Sequence, residues 1–146
     1  FFQEDIEKVV ALAVLMPIVA SMGGNAATQT LAITIRLLAT KELNSDNLFK
    51  IINKEFYVGF LNGLIFSTIT AFFIFFWFYD YKLSILIGIS MVINMVFASL
   101  SGIVIPVLLK KYKIDPAIAS TVFVTSITDI IGFLSFLGLA SFILII

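Results

Sequence analysis

Apolar residues run along this chain in four long blocks separated by short polar stretches, at about residues 9–39, 55–79, 83–109 and 117–146. At roughly 1.5 Å of helical rise per residue, each block exceeds the about 20 residues needed to cross a hydrocarbon layer. The pattern therefore predicts four transmembrane helices. No tandem repeat or low-complexity linker divides them, so the expected fold is an all-α, polytopic membrane bundle forming one domain.

The blocks differ in texture. In the first, Pro17 removes a backbone donor and displaces the carbonyl of Ala13, and Gly23-Gly24-Asn25 stands where an unbroken span favours Leu or Ile. A kinked or locally unwound first helix is expected. Residues 40–54 form a polar connection, with Asn44-Ser45-Asp46 as a turn and cap. Leu48, Phe49, Ile51, Ile52 and Phe56 then share one side of a helix, which reads as a segment at the membrane surface. The second span carries Gly59, Gly63, Ser67 and Ala71 every fourth residue, a ridge that lets another helix come close. Phe75 to Tyr79 and Tyr81 mark an interfacial aromatic belt. Ser90, Asn94, Ala98, Gly102 and Pro106 give the third span one small, polar face, and Asp115-Pro116 is a start signal for the fourth.

Composition fixes the solvent. The 146 residues are 61% hydrophobic and only 12% charged, about half the charged share of a soluble domain. The formal net charge is zero, which gives no basis for a nucleic-acid partner. With no Cys and no His, the chain lacks disulfides, thiolate metal sites and the commonest transition-metal ligand. Four Lys or Arg lie in residues 36–54 and three in residues 110–113, against Lys8 and Lys82 on the other side. The positive-inside rule places loops 40–54 and 110–116 in the cytoplasm of a plasma or inner membrane, with both ends outside. Phe1-Phe2 then reads as the last turn of an upstream helix, and the chain as part of a larger polypeptide.

One ionisable residue sits deep in an apolar block. Asp129 lies about twelve residues into the fourth span, roughly 18 Å at helical rise. A charge at the bilayer centre costs about 2.5 to 3.5 kcal/mol on the insertion scale, so such residues usually face a bundle interior or a water-filled path. Thr121, Thr125, Asp129 and Gly132 share one stripe, with Thr128 beside them. On the residues alone, Asp129 serves either an ion path or a structural hydrogen bond to Thr125 or a neighbouring helix. Asn25 and Gln29 are equally open to ion contact or interhelical hydrogen bonding. A cation transporter coupled to H⁺ or Na⁺ and a non-transporting structural subunit both remain compatible with the pattern. An enzyme is not expected: an intramembrane aspartyl protease would need its second acid from another chain.

Five groups of residues, taken in order, carry a resemblance. They are Pro17 with Gly23-Gly24-Asn25-Ala26-Ala27-Thr28-Gln29, Glu55 with Gly59 and Gly63, Gly102 with Pro106, Asp115-Pro116-Ala117, and Thr128-Asp129 with Gly132. Together they resemble the MgtE-type magnesium channel and transporter family over nearly the whole chain. The resemblance implies a homodimeric, Mg²⁺-selective pore in the lipid bilayer with five spans per subunit, of which these would be the last four. It implies that Asp129 holds hydrated Mg²⁺, that Asn25 lines the same site and that the backbone at Thr125 takes part. Gly23, Gly24, Thr28, Gln29, Thr121, Thr128 and Gly132 are expected along the path. Ala27 departs from the family, whose members often have glycine there. The cytoplasmic domains that sense Mg²⁺ in many relatives lie outside this sequence. The chemistry fits: Mg²⁺ is small and hard, dehydrates reluctantly and takes one or two carboxylates while keeping several waters.

Overall fold

The computed structural model describes residues 3–144. Four helices account for nearly all of them: α1 (Gln3–Ala39), α2 (Leu48–Phe78), α3 (Tyr81–Lys111) and α4 (Pro116–Ile143). Each contains a stretch long and apolar enough to cross a membrane. The expected turn formed by Phe1-Phe2 falls outside the described residues.

α3 is the hub, packing against α1, α2 and α4, and α1 also packs along α4. Its face of Ser90, Asn94, Ala98, Gly102 and Pro106 is buried throughout. Two apolar clusters flank a polar middle. Leu12, Leu15 and Val19 of α1 meet Leu86 and Ile87 of α3 and Phe136 of α4 toward one end. Ala27 and Leu31 of α1 meet Ala98 of α3 and Val124 of α4 toward the other. Between them lies Asn94, fully buried.

α2 is fastened mainly to α3, through the small-residue ridge. Gly59, Gly63 and Ser67 are among its few buried residues. A Cβ on Gly59 would stand 2.6 Å from Ser99 Oγ, and one on Gly63 would stand 3.0 Å from Val92 Cα, so the backbones meet where the side chains vanish. The outer side of α2 is apolar and exposed, and its end carries Phe76, Trp77 and Tyr79. Trp77 and Tyr79 are each 82% exposed, as an interfacial belt requires.

Two expectations are corrected, local unwinding within α1 and a separate surface helix at Leu48. α1 is helical without interruption from Gln3 to Ala39, with Pro17 inside it and no unwinding at Gly23-Gly24-Asn25. Glycine weakens a helix by about 1 kcal/mol relative to alanine in water. In an apolar medium, a freed backbone group costs several kcal/mol, so the helical ladder persists. The amphipathic stretch from Leu48 is likewise no separate surface helix, because no Gly or Pro interrupts residues 48–58 and α2 runs straight on. Thr30 Oγ1 donates to Glu55 Oε2 at 3.3 Å, joining α1 to this continuous helix.

The helix ends follow local chemistry. Asp115 caps α4, its carboxylate accepting from Ala117 N at 2.9 Å, with Pro116 in the first turn as its sequence signal predicts. Asp80 caps α3 in the same way, accepting from Lys82 N and Leu83 N. At the α1–α2 turn, Asn44 Oδ1 accepts from the amides of Asp46 and Asn47, and Asn47 rather than Asp46 is the N-cap. Lys41 and Lys113 take positive φ angles of 59° and 60° beyond the ends of α1 and α3. There Glu42 N bonds Leu37 O and Ile114 N bonds Leu109 O, the six-to-one closure of a Schellman turn.

The α2–α3 seam is testable by adding single methyl groups. Gly63→Ala should lower stability by about 1 to 3 kcal/mol through overpacking. Gly138→Ala should not, since nothing lies within 4 Å of a Cβ there. Thermal melting of the detergent-solubilised variants checks this, and equal melting temperatures would refute the close-approach account.

Candidate functional site

The middle of the bundle places the two polar sequence signals beside each other. Asn25 is 15 residues from Val10 and 14 from Ala39, the ends of the α1 candidate span. Asp129 is 13 residues from Pro116 and 14 from Ile143 in α4. Both therefore lie well inside the membrane-crossing part of their helices, Asp129 being 9 residues from Ser120, where the α4 candidate span begins. A Cβ on Gly24 would meet Thr128 Oγ1 at 3.8 Å, which sets α1 against α4 at this level. One residue further along each helix turns the side chain by about 100°. That turn carries Asn25 and Asp129 out of the seam to exposed positions on the bundle's outer surface.

They are not isolated there. On α1, Ser21, Asn25, Gln29 and Arg36 are all exposed, at spacings of four, four and seven. On α4, Thr121 and Asp129 are exposed and Thr125 half-buried between them. Gly24 and Thr28 are half-buried at the margin of the α1 stripe. Two polar stripes thus run along adjacent helices, at depths where the exposed large apolar side chains are mostly Ile, Leu, Val and Phe.

The hydroxyls have a common orientation. Thr125 Oγ1 donates to Thr121 O at 2.9 Å, Thr28 Oγ1 to Asn25 O at 2.9 Å and Ser126 Oγ to Val122 O at 2.7 Å. Each spends its proton on its own helix and keeps its lone pairs for whatever lies outside. Thr128 Oγ1 donates to Thr125 O at 2.9 Å, so that carbonyl is already engaged by a hydroxyl. Thr125 therefore offers its own hydroxyl oxygen more freely than its backbone.

Three of the residues expected along the path are not exposed in the single chain. Gly23, Thr128 and Gly132 are buried among the helices. A Cβ on Gly23 would run into the Asn94 amide, and one on Gly132 would stand 2.9 Å from Asn94 Nδ2 and 3.1 Å from Ala20 Cα. Their small size serves helix approach. Ser21 was missed in the sequence, although its place four residues before Asn25 was the available signal.

Among the described residues, no three His, Cys, Asp or Glu side chains gather where they could hold a metal. The chain offers one carboxylate within its apolar spans together with amide and hydroxyl oxygens. Such a set cannot cage a bare ion but can accept hydrogen bonds from the water shell of a hydrated cation, with the carboxylate supplying charge.

Comparison with known proteins identifies the family. The family model MgtE, described as a divalent cation transporter, matches residues 16–139. The magnesium transporter MgtE of Bacillus subtilis is 35% identical over 141 residues, covering 97% of this chain and 31% of that protein. The magnesium transporter MgtE of Thermus thermophilus is 34% identical over 143 residues, covering 98% of this chain and 32% of that protein. The chain thus spans about a third of the length of the curated relatives it matches.

The chain's lack of native cysteine makes the polar face directly measurable. In a cysteine-free background, Gln29→Cys and Thr121→Cys should react with a water-soluble thiosulfonate, whereas Phe72→Cys and Leu134→Cys on lipid-facing surfaces should not. Equal labelling at all four positions would show that the stripes are no wetter than the remaining surface.

Proposed function

The chain belongs to the MgtE family of divalent cation transporters, and on that premise we propose that it forms one half of a Mg²⁺ pathway, completed by a second copy across a twofold axis. The observation that carries this reading is the exposed midplane carboxylate of Asp129, level with exposed Asn25. Left against lipid, that charge would cost about 2.5 to 3.5 kcal/mol on the insertion scale. A second copy of the same face covers both stripes and leaves a wet cleft between them. An isologous contact brings the same patch of both subunits together, so one Asp129 becomes two.

Paired carboxylates supply two negative charges to a doubly positive ion. Asn25, Gln29, Thr125 and Thr121 offer acceptor oxygens for the waters the ion keeps. Gly24 and Thr28 border this path, whereas Gly23, Thr128 and Gly132 act by holding the helices together. In this reading the ion crosses with much of its shell intact, Mg²⁺ is cargo rather than a resident cofactor, and loops 40–54 and 110–116 face the cytoplasm.

Asp129→Asn should reduce Mg²⁺ uptake by about 100-fold or more in cells or proteoliposomes while size-exclusion chromatography still shows an assembled dimer. Uptake at the wild-type rate in that variant removes the role.

A further inference from the structure

We propose that Asn94 is the positioning residue of the ion site, setting the helix that bears Asn25 against the helix that bears Asp129 and so determining how well the site fits a hydrated Mg²⁺. The inference rests on the Mg²⁺ pathway proposed above, and it assigns a role to a residue that cannot touch the ion's path. Asn94 is fully buried on α3. Its Nδ2 donates to Val19 O of α1 at 2.7 Å. Its amide fills the gap left by Gly23 of α1 and Gly132 of α4, both of which would collide with it if they carried a Cβ. One side chain therefore touches all three helices of the central packing.

Its neighbours and its leverage point to position rather than strength. Asn94 Oδ1 is buried and has no hydrogen-bond partner among the described residues. An unsatisfied buried acceptor is destabilising, and apolar residues of similar shape often serve as well or better. Met91 and Met95, also buried on α3, show that apolar side chains pack beside this position. What a Leu or Met could not do is bond to the Val19 carbonyl, which fixes α1 along its axis as well as sideways. Gly23 is two residues from Asn25, and Gly132 is three from Asp129. Each distance is less than one helical turn, so a slide or roll at the amide reaches the site with little damping.

The test uses the full-length protein that contains this chain, with Mg²⁺ and Ca²⁺ as the probe ions. Asn94→Leu removes the hydrogen bond while keeping the branched shape and heavy-atom count of the side chain. It should keep the wild-type melting temperature to within a few degrees, raise the half-maximal Mg²⁺ concentration about tenfold and narrow the preference for Mg²⁺ over Ca²⁺. If that variant fails to assemble, the smaller Asn94→Ala carries the same readouts. A loss of melting temperature with unchanged Mg²⁺ dependence and selectivity would make Asn94 a merely structural residue and overturn the proposal. Asp129→Asn run in parallel separates the two readings. If it abolishes uptake while the Asn94 variants behave as wild type, only this inference falls; if it transports normally, the pathway itself falls.

Discussion

A membrane interior offers no water to a polar group, and the outer face of α1 and α4 is polar at its centre. That conflict governs the molecule. Most of the bundle resolves it in the ordinary way, with backbone groups closed in helices and hydroxyls turned onto their own carbonyls. Asp129 and Asn25 do not share in that solution, because the seam contact between Gly24 and Thr128 leaves the next residue on each helix pointing outward. A single copy of the chain consequently presents a polar surface at mid-span that lipid alone does not satisfy.

The remaining architecture serves to hold this face in place. α3 stands behind α1 and α4 and contacts both, so the helices that carry the exposed polar stripes are braced by a third whose own polar face is buried. Close approach is achieved by small residues rather than by interlocking large ones: Gly23 and Gly132 admit the Asn94 amide, and Gly102 lies against Ala27 O and Thr30. Helix association inside a bilayer draws on packing and hydrogen bonds more than on apolar burial, which matches seams built from Gly, Ala and Ser. Ala27 is fully buried in one cluster with Leu31, Ala98 and Val124.

Much of this was legible from residue order alone. Helix number, the Asp115-Pro116 start, the α2 ridge and the buried face of α3 follow from hydropathy, capping chemistry and four-residue spacing, which are local properties. The chain-breaking signals misled because Pro17 and the paired glycines were weighed as they would be in water, where a freed carbonyl is solvated. The direction in which Gly23, Thr128 and Gly132 face was not legible either. Each lies within a turn of a residue on the polar stripe, and only the presence of α3, and of Asn94 on it, decides that these three point inward while Asn25 and Asp129 point out. Spacing identifies a stripe, but the neighbouring helix decides which side of the stripe is wet.

The hydroxyls that give their protons to their own helices have a consequence for sign. Water around a cation turns its oxygen toward the ion and its hydrogens outward, whereas water around an anion does the reverse. Where Thr125, Thr28 and Ser126 have spent their protons, hydrogens arriving on the first kind of shell find lone pairs, but the oxygens of the second kind would meet oxygens. Hydroxyls oriented in this way oppose the hydration shell of an anion such as chloride without carrying any charge themselves.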